Sequence, residues 1–305
     1  MSVLVVGSVA YDGIETPSGK VDRTLGGSAT YISLASSYLT DAVRLVATVG
    51  KDFAQEDIDL FKRHGINLDG FKVDENERTF FWRGRYHEDL NTRDTLETQL
   101  NVIEKFDPVV PDSLKGSRYV CLGNLDPVIQ KKVLDQMTTP QLSICDTMNF
   151  WIEGMNKELK ETISKIDCLI INDSEARELT GENNLIEAAD KIREMGPSIL
   201  IIKKGEHGAM LFSDDGFFTA PALPLTEIKD PTGAGDSFLG GFAGWLSKTD
   251  DLSHANLRRA VIYGSVMASF CVEDFGPMRF DQLSPYKISE RYDEFRKIAE
   301  IPSSS

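Results

Sequence analysis

The chain alternates short apolar runs with stretches of helical periodicity over most of its 305 residues. Continuous runs rich in valine and isoleucine are typical of strands buried on both faces of a parallel sheet. These runs predict strands at residues 3–6, 43–49, 119–122, 142–145, 168–171 and 199–202. Amphipathic helices are expected between them, including 29–39, 127–137 and 186–195. The alternation predicts a doubly wound α/β core.

Two polar, turn-rich segments interrupt this rhythm, at about 12–24 and 74–105. Long connections inside a compact domain usually carry function, often as lids. We therefore predict a single domain over residues 1–305, with a small, discontinuous β-rich lid formed by the two segments. An exposed sheet edge in this lid would allow two copies of the chain to pair as a homodimer.

The second lid segment contains three consecutive aromatic residues, Phe80, Phe81 and Trp82. Neighbouring residues of a strand face opposite ways, so at most two of the three share a face. They could line a ligand pocket or pack the lid onto the body. Arg83 and Arg85 share a face, and they could contact a ligand or serve as solvated charges.

Charge and composition narrow the classes of partner. The chain has 33 basic and 48 acidic side chains, a formal net charge of −15. Such a surface repels nucleic acid and anionic membranes, so neither is expected as a partner, whereas a small anionic ligand is allowed. No apolar run approaches the ~20 residues of a membrane span, and the first residues lack a signal-peptide pattern, which predicts a cytoplasmic protein. The four cysteines are expected to be buried free thiols.

Polar or glycine motifs follow nearly every predicted strand at its carboxyl end. In open α/β sheets these ends form the crevice in which ligands bind. The sequence therefore predicts one site assembled from distant segments: Gly7, Ser8 and Asp12; Asp146 and Asn149; Asn172 to Glu175; and Lys203 to Gly205.

The sharpest local motif is Asp230-Pro231-Thr232-Gly233-Ala234-Gly235-Asp236-Ser237-Phe238, which precedes an amphipathic helix. Gly233 and Gly235 let a ligand approach the backbone, and the N–H groups and dipole of a helix N-terminus attract negative charge. The motif thus predicts an anion cradle, with the Asp236 carboxylate placed to accept a proton from an attacking hydroxyl. The alternative is a plain helix N-cap, where aspartate and serine are favoured.

This nine-residue motif resembles the signature of the ribokinase-like (PfkB) carbohydrate kinase family, and the resemblance extends over almost the whole chain. It implies the family's fold, a three-layer α/β/α sandwich with a mostly parallel central sheet and a small β-sheet lid. It also implies the family's activity, which is transfer of the γ-phosphoryl group of Mg·ATP to a hydroxyl of a sugar or nucleoside. A monovalent cation such as K⁺ near Asp230 is a further implication.

The resemblance also implies roles for individual residues. Asp236 matches the catalytic base, and the backbone of Gly233, Ala234 and Gly235 matches the anion hole. Asn172 and Glu175 match the N-x-x-E motif, which organises Mg²⁺ through water and the phosphates. The matching substrate-binding positions are Asp12, Gly26, Gly27, Tyr31 and Asn149. The matching nucleotide-binding positions are Asn172, Glu175, Lys203, Gly205 and Gly208.

Two positions depart from the family pattern. Tyr31 stands where the family has asparagine, and Trp151 stands where it has arginine. A phenol can stack on a ring or donate one hydrogen bond, but it lacks the paired donor and acceptor of an amide. Loss of the arginine fork weakens the case for a phosphorylated sugar as the acceptor. Both changes favour an acceptor with a flat ring, such as a nucleoside.

The motifs also bear on two other classes of protein. The first is a non-catalytic sugar- or nucleotide-binding regulator on the same scaffold. It is disfavoured because Asp236, Asn172 and Glu175 are all present. The second is a hydrolase, which fails because no G-x-S-x-G elbow surrounds Ser237.

Overall fold

The computed structural model describes residues 1–300, so the last five residues of the predicted domain lie outside the described range. The strands in that range are β1 Val3–Val6, β2 Ala10–Thr16, β3 Gly19–Gly26, β4 Val43–Gly50, β5 Asn67–Asp74, β6 Phe80–Tyr86, β7 Arg93–Gln99, β8 Tyr119–Leu122, β9 Leu142–Asp146, β10 Cys168–Asn172, β11 Ile199–Lys203, β12 Ala209–Ser213 and β13 Gly216–Ala220.

The α-helices in the same range are α1 Ser28–Ser37, α2 Gln55–Arg63, α3 Pro127–Leu134, α4 Asn149–Gly154, α5 Asn156–Ile163, α6 Asp173–Thr180, α7 Leu185–Glu194, α8 Ala234–Thr249, α9 His254–Cys271 and α10 Pro285–Ala299. Three short 3₁₀ segments lie at Asn101–Lys105, Gly205–His207 and Gly276–Gln282.

Nine strands form the central sheet, in the order β13-β12-β11-β10-β9-β8-β1-β4-β5. Pairing is parallel from β11 to β5, and β12 and β13 add an antiparallel edge. All six strands predicted from apolar runs belong to this sheet. Every residue of β1 is buried, as expected for a strand covered on both faces.

Helices cover both faces of the central sheet. Val3 and Val5 of β1 pack into a core that includes residues of α1, α8 and α9. The alternate residues, Leu4 and Val6, pack into a second core with α3, α5, α6 and α7. The predicted three-layer α/β/α sandwich with a mostly parallel central sheet is confirmed.

Helices α1 and α8 pack side by side because α8 has glycines at the contact. A Cβ on Gly240 would lie 2.4 Å from the carbonyl oxygen of Ile32, and one on Gly244 would lie 3.0 Å from Ser36 Cα. Residues follow one another in the same direction along both helices, so their axes run parallel. Their N-termini, at Ser28 and Ala234, therefore lie at the same end of the molecule.

A second, smaller sheet has the order β3-β2-β6-β7. Its central pair β2–β6 is parallel and its outer pairs are antiparallel. These strands lie in 10–26 and 80–99, which agrees with the small β-sheet predicted from the two polar segments. The edges are β3 and β7, and every residue of β7 is exposed.

The four cysteines are buried and free, as predicted: Cys121, Cys145, Cys168 and Cys271. Among the helices of residues 1–300, none combines the length and apolar character that crossing a bilayer requires.

Candidate active site

Three strand ends bring charged and polar side chains to one edge of the central sheet. Asp146 ends β9, Asn172 ends β10 and Lys203 ends β11, and Asn172 pairs in register with Lys203. Lys203 Nζ lies 3.5 Å from Asp146 Oδ1, and both side chains are largely buried. The convergence expected at the carboxyl ends of the strands is present for these three residues.

The glycine motif turns directly into α8. Gly233 has φ 77° in the left-handed region and precedes the first helical residue, Ala234. Asp230 fixes the loop through two hydrogen bonds. Its Oδ1 accepts from the Thr232 amide at 2.8 Å, and its Oδ2 accepts from the Gly276 amide at 3.0 Å. Gly233 occupies the N-cap position, and Asp236 lies in the first turn of α8. Asp236 is therefore not the N-cap residue of this helix.

Lys203 reaches the glycine loop. A Cβ on Gly235 would come 2.8 Å from Lys203 Nζ, so only glycine lets the ammonium approach this closely. Burial opposes the charged form of Lys203, but the carboxylates of Asp146, Glu175 and Asp236 outweigh it and raise its pKa. The loop thus combines a helix N-terminus with a fixed positive charge, both suited to an anionic ligand.

Asp236 has a buried carboxyl in the first turn of α8. Its Oδ1 is buried and has no hydrogen-bond partner among the described residues. Burial, followed by the charge of Asp146, raises the pKa of Asp236 to about 7, while Lys203 acts in the opposite direction. A carboxyl with a pKa near neutral is suited to exchange protons at physiological pH.

Asp12 faces the same region from the small sheet. It is 5 % exposed, and burial, followed by the charge of Asp230, raises its pKa to about 7. Gly26, the last residue of β3, makes room for it, because a Cβ on Gly26 would lie 1.9 Å from Asp12 Oδ2. Gly27 has φ 88°, and its Cβ would lie 2.5 Å from the Ser8 carbonyl oxygen. Both glycines are therefore required by close approach.

The ring of Tyr31 packs against the glycine loop. Its side chain is 1 % exposed, and a Cβ on Gly233 would lie 2.5 Å from three carbons of its ring. The ring is covered by the glycine loop, so it offers no exposed face on which an acceptor could stack, and the role of Tyr31 in acceptor binding stays a prediction. The Tyr31 hydroxyl is buried and has no hydrogen-bond partner among the described residues. Burial, with the charges of Asp230, Cys271, Asp12 and Asp236, raises the pKa of Tyr31 well above its usual value.

Asn172 and Glu175 form a reciprocal capping box at the start of α6. Asn172 Oδ1 accepts from the Glu175 amide at 2.8 Å, and Glu175 Oε2 accepts from the Asn172 amide at 2.8 Å. Burial, with the charge of Asp146, raises the pKa of Glu175 to about 7. Oε1 of Glu175 and the side-chain Nδ2 of Asn172 are not used by the box.

The free carboxylate oxygen of Glu175 fits Mg²⁺, which binds oxygen ligands. Within residues 1–300, no group of three or more His, Cys, Asp or Glu side chains has the arrangement of a metal cage. Mg²⁺ usually keeps several waters and binds through one or two carboxylates together with substrate phosphates, so a cage is not required. The buried carboxylates of Glu175 and Asp236 have raised pKa values because burial disfavours their charge, which a bound cation would relieve.

The turn after β11 depends on two glycines. Gly205 has φ 53° and Gly208 has φ 82°. A Cβ on Gly208 would lie 2.0 Å from the Ala220 carbonyl oxygen, and the Lys204 amide donates to the Gly208 carbonyl at 2.7 Å. These contacts explain why glycine is needed for the turn. The nucleotide-binding role of Gly205 and Gly208 stays a prediction.

The side chains of Asn149 and Trp151 bond to residues outside this group. The Asn149 amide donates to Glu178 of α6. The Trp151 indole N–H donates to Asn124 Oδ1 at 2.8 Å, and its ring packs against the core between the central sheet and α3, α5, α6 and α7. Trp151 therefore gives no support to an acceptor with a flat ring.

The small sheet contacts the glycine loop through a residue whose role the sequence did not indicate. Thr232 Oγ1 donates to the Tyr86 hydroxyl at 3.1 Å, and Tyr86 is 7 % exposed. Trp82 pairs with Asp12 and shares its face. Phe81 lies on the other face and packs against the body of the protein, which is the structural alternative for that residue.

Arg83 and Arg85 lie on the face of the small sheet away from Asp12. Arg85 pairs with Glu15 at 2.9 Å, and Arg83 lies 3.8 Å from carboxylates of Asp22 and Glu97. Both arginines are thus partly exposed charges with acidic neighbours, and neither faces the glycine loop.

Known proteins resemble this chain over most of its length. Residues 1–282 match the family described as pfkB family carbohydrate kinase. A cytidine kinase of Thermococcus kodakarensis is 26% identical over 253 residues, covering 81% of this chain and 89% of that protein. An inositol 3-kinase of Arabidopsis thaliana is 23% identical over 312 residues, covering 99% of this chain and 82% of that protein.

A solved structure agrees with the fold. The nucleoside kinase of Methanocaldococcus jannaschii, an archaeal member of the ribokinase family, aligns with a TM-score of 0.78 at 23% identity. The alignment covers 96% of this chain and 99% of that one. The chain belongs to the pfkB family of carbohydrate kinases. Its fold is ribokinase-like, as the resemblance of the Asp230–Phe238 motif implied.

Proposed function

We propose that the protein transfers the γ-phosphoryl group of Mg·ATP to a hydroxyl of a sugar or nucleoside, with Asp236 as the general base. The observation that carries this proposal is the Asp236 carboxyl at the N-terminus of α8, whose buried Oδ1 has no hydrogen-bond partner within residues 1–300. A buried carboxyl oxygen without a partner costs stability, and beside an anion cradle it has a chemical use, because it can take a proton next to a phosphoryl group.

The proposed step assigns a task to each part of the site. The acceptor hydroxyl attacks the γ-phosphorus, the new O–P bond forms as the bond to the β–γ bridging oxygen breaks, and Asp236 takes the hydroxyl proton. Backbone N–H groups of Gly233, Ala234 and Gly235 stabilise the negative charge that develops on the phosphoryl oxygens. Lys203 adds a positive charge beside Gly235.

Mg²⁺ would be held by Glu175 and, through water, by Asn172, and it would neutralise charge on the phosphate oxygens. A monovalent cation such as K⁺ near Asp230 is also part of the proposal. Asp230 is fully buried, and no cationic side chain pairs with it within residues 1–300. The turn that follows Lys203 and contains Gly205 and Gly208 would contact the nucleotide.

The acceptor is proposed to be a ring that carries several hydroxyls. Relatives named cytidine kinase and inositol 3-kinase support this class, since both act on such rings. Asp12, supported by Gly26 and Gly27, would accept hydrogen bonds from the hydroxyls, and Tyr31 would contribute through its unpartnered hydroxyl. Trp82, on the face of Asp12, is the aromatic residue that remains available for stacking. Asn149 would join the acceptor site after exchanging its hydrogen bond to Glu178 for one to the acceptor.

Pairing of two copies through the small sheet is a further part of the proposal. Strands β3 and β7 are open edges of that sheet, and β7 is exposed throughout. Light scattering of the wild-type protein beside a variant with proline in β7 would test it, because proline removes a ladder donor from an edge strand.

The experiment that tests the activity is ADP formation from Mg·ATP across a panel of free sugars, cyclitols and nucleosides, with Asp236→Asn as the control. We expect turnover with at least one acceptor and its loss in the variant. Retained activity in Asp236→Asn would overturn the assignment of the base. Binding of ATP and acceptor without turnover would favour the non-catalytic regulator.

A further inference from the structure

Arg93 is the first residue of β7 and lies directly opposite Tyr86 of β6 in the small sheet. Directly opposed residues of an antiparallel pair share a face of the sheet. Tyr86 points at the glycine loop, since its hydroxyl accepts from Thr232 Oγ1 at 3.1 Å. The Arg93 side chain therefore belongs to the face that covers the loop.

The turn between β6 and β7 contacts a second part of the site. Asn91 Nδ2 donates to Glu206 Oε2 at 3.0 Å, and a Cβ on Gly205 would lie 2.8 Å from Asn91 Oδ1. The hairpin thus extends from the glycine loop to the turn after β11. Under the proposed function, the phosphate chain of the nucleotide lies between these two contacts, and Arg93 is on the strand that crosses it.

Arg93 also differs from the other arginines of the hairpin in its partners. Arg83 and Arg85 pair with carboxylates on the face of the small sheet away from Asp12. Within residues 1–300, no carboxylate forms a salt bridge with Arg93, and its guanidinium lies 6.0 Å from the centre of the Trp82 ring, on the face of Asp12.

Arg93 is an exposed cation close to the glycine loop. It is directly opposite Tyr86, whose hydroxyl contacts Thr232 of that loop. Its guanidinium is therefore on the side of the small sheet from which it can interact with an anion bound at the loop.

We propose that Arg93 binds the γ-phosphoryl group of the nucleotide from the small sheet, opposite the glycine loop. The proposal rests on the proposed function and adds a residue to it. A guanidinium suits this task because it donates two parallel hydrogen bonds to phosphate oxygens and keeps its charge. Arg93 exchanges no proton: it neutralises the oxygens of the phosphoryl group while that group passes from the β–γ bridging oxygen to the acceptor.

Nucleotide binding tests the contact without relying on turnover. Calorimetry would compare a non-hydrolysable ATP analogue with ADP, both with Mg²⁺, for wild type, Arg93→Gln and Arg93→Lys. We expect Arg93→Gln to weaken the analogue by about 10-fold or more and ADP by less than about 2-fold, the scale of one lost charge-assisted contact. Arg93→Lys should recover part of the difference, because it keeps the charge and loses the fork.

Arg85→Gln is the matched control, since it removes an arginine of the same hairpin from the opposite face. It should leave both affinities unchanged, and thermal melting should show that all variants are folded. Equal weakening of analogue and ADP, or no weakening, would overturn the contact with the γ-phosphoryl group. A wild-type protein that discriminates analogue from ADP through Arg93 but phosphorylates no acceptor would instead contradict the proposed function alone.

Discussion

Gly233 lies directly on the ring of Tyr31, with room for no atom between them: a Cβ at position 233 would be 2.5 Å from three ring carbons. The glycine loop is therefore shaped by the side chain beneath it as well as by the N-terminus of α8. Gly233→Ala should displace the loop and lower kcat by about 10²-fold, the scale of a lost anion-hole donor. Steady-state kinetics with the acceptor found in the panel would measure it.

Gly181→Ala is the control for that substitution. Gly181 has φ 73°, close to the 77° of Gly233, but its Cβ would meet nothing within 4 Å. Both variants should lose about 1–2 kcal/mol of folding stability from backbone strain, and Gly233→Ala should lose more because its Cβ clashes with Tyr31. Only Gly233→Ala should lose activity. Equal activity in the two variants would show that the contact with Tyr31 has no role in the reaction.

Tyr31→Phe should separate stability from function. The hydroxyl it removes is buried and unpartnered, so its loss should leave the melting temperature unchanged or raise it. If the hydroxyl donates to the acceptor, KM for the acceptor should rise by about 10-fold, as for one lost hydrogen bond to a charged or polar group. A variant with unchanged KM would leave Tyr31 only its role as support for Gly233.

Asp236→Asn should lower kcat by at least about 10²-fold, the scale of a lost general base. It should also raise the melting temperature near pH 8. The pKa of Asp236 is raised in the folded protein, so the folded state holds a proton that the unfolded chain has released, and stability falls as pH rises from about 4 to about 7. Asparagine has no charge to bury. Melting curves across this range would show a gap between the variants that widens with pH.

The pH dependence of turnover gives a separate test. A base must be unprotonated to accept the hydroxyl proton, and burial raises the pKa of Asp236 to about 7. We therefore expect kcat/KM to rise with pH through about 7 and to level off above it. A rate that is flat from pH 6 to 8 would contradict this assignment, whatever the activity of the asparagine variant.

Lys203→Met should destabilise the protein by about 3 kcal/mol, because it leaves the largely buried Asp146 carboxylate without its cation. The double variant Lys203→Met/Asp146→Asn should recover most of that stability but little of the activity. Denaturant unfolding and kinetics on the four members of this cycle would separate the structural role of the pair from the role of Lys203 beside Gly235.

Sequence patterns predicted the parts of the molecule that depend on local composition. The six apolar runs became strands of one parallel sheet, and their order placed Asp146, Asn172 and Lys203 at one edge. The glycine motif identified the start of α8. Such features follow from burial and backbone geometry, which a single sequence expresses directly.

Orientation could not be predicted in the same way. A motif gives the position of Tyr31 but not the direction of its ring, which is set by the packing of α1 against α8. Arg93 was missed because a β-bulge near Gly84 shifts the pairing of β6 and β7, and the sequence contains no signal that fixes this register. A shift of one residue would move Arg93 to the opposite face of the sheet.

The attachment of the small sheet determines which of its parts can move. Val6 of β1 is followed by β2 at Ala10, and Gly27 alone separates β3 from α1. The end of the sheet that carries Asp12 is therefore clamped to the body by two very short connections. The tip of the β6–β7 hairpin is held by the hydrogen bond from Asn91 to Glu206. Under the proposed function, exchange of the nucleotide should then need only this hairpin to bend away, while the clamped end that carries Asp12 stays in place.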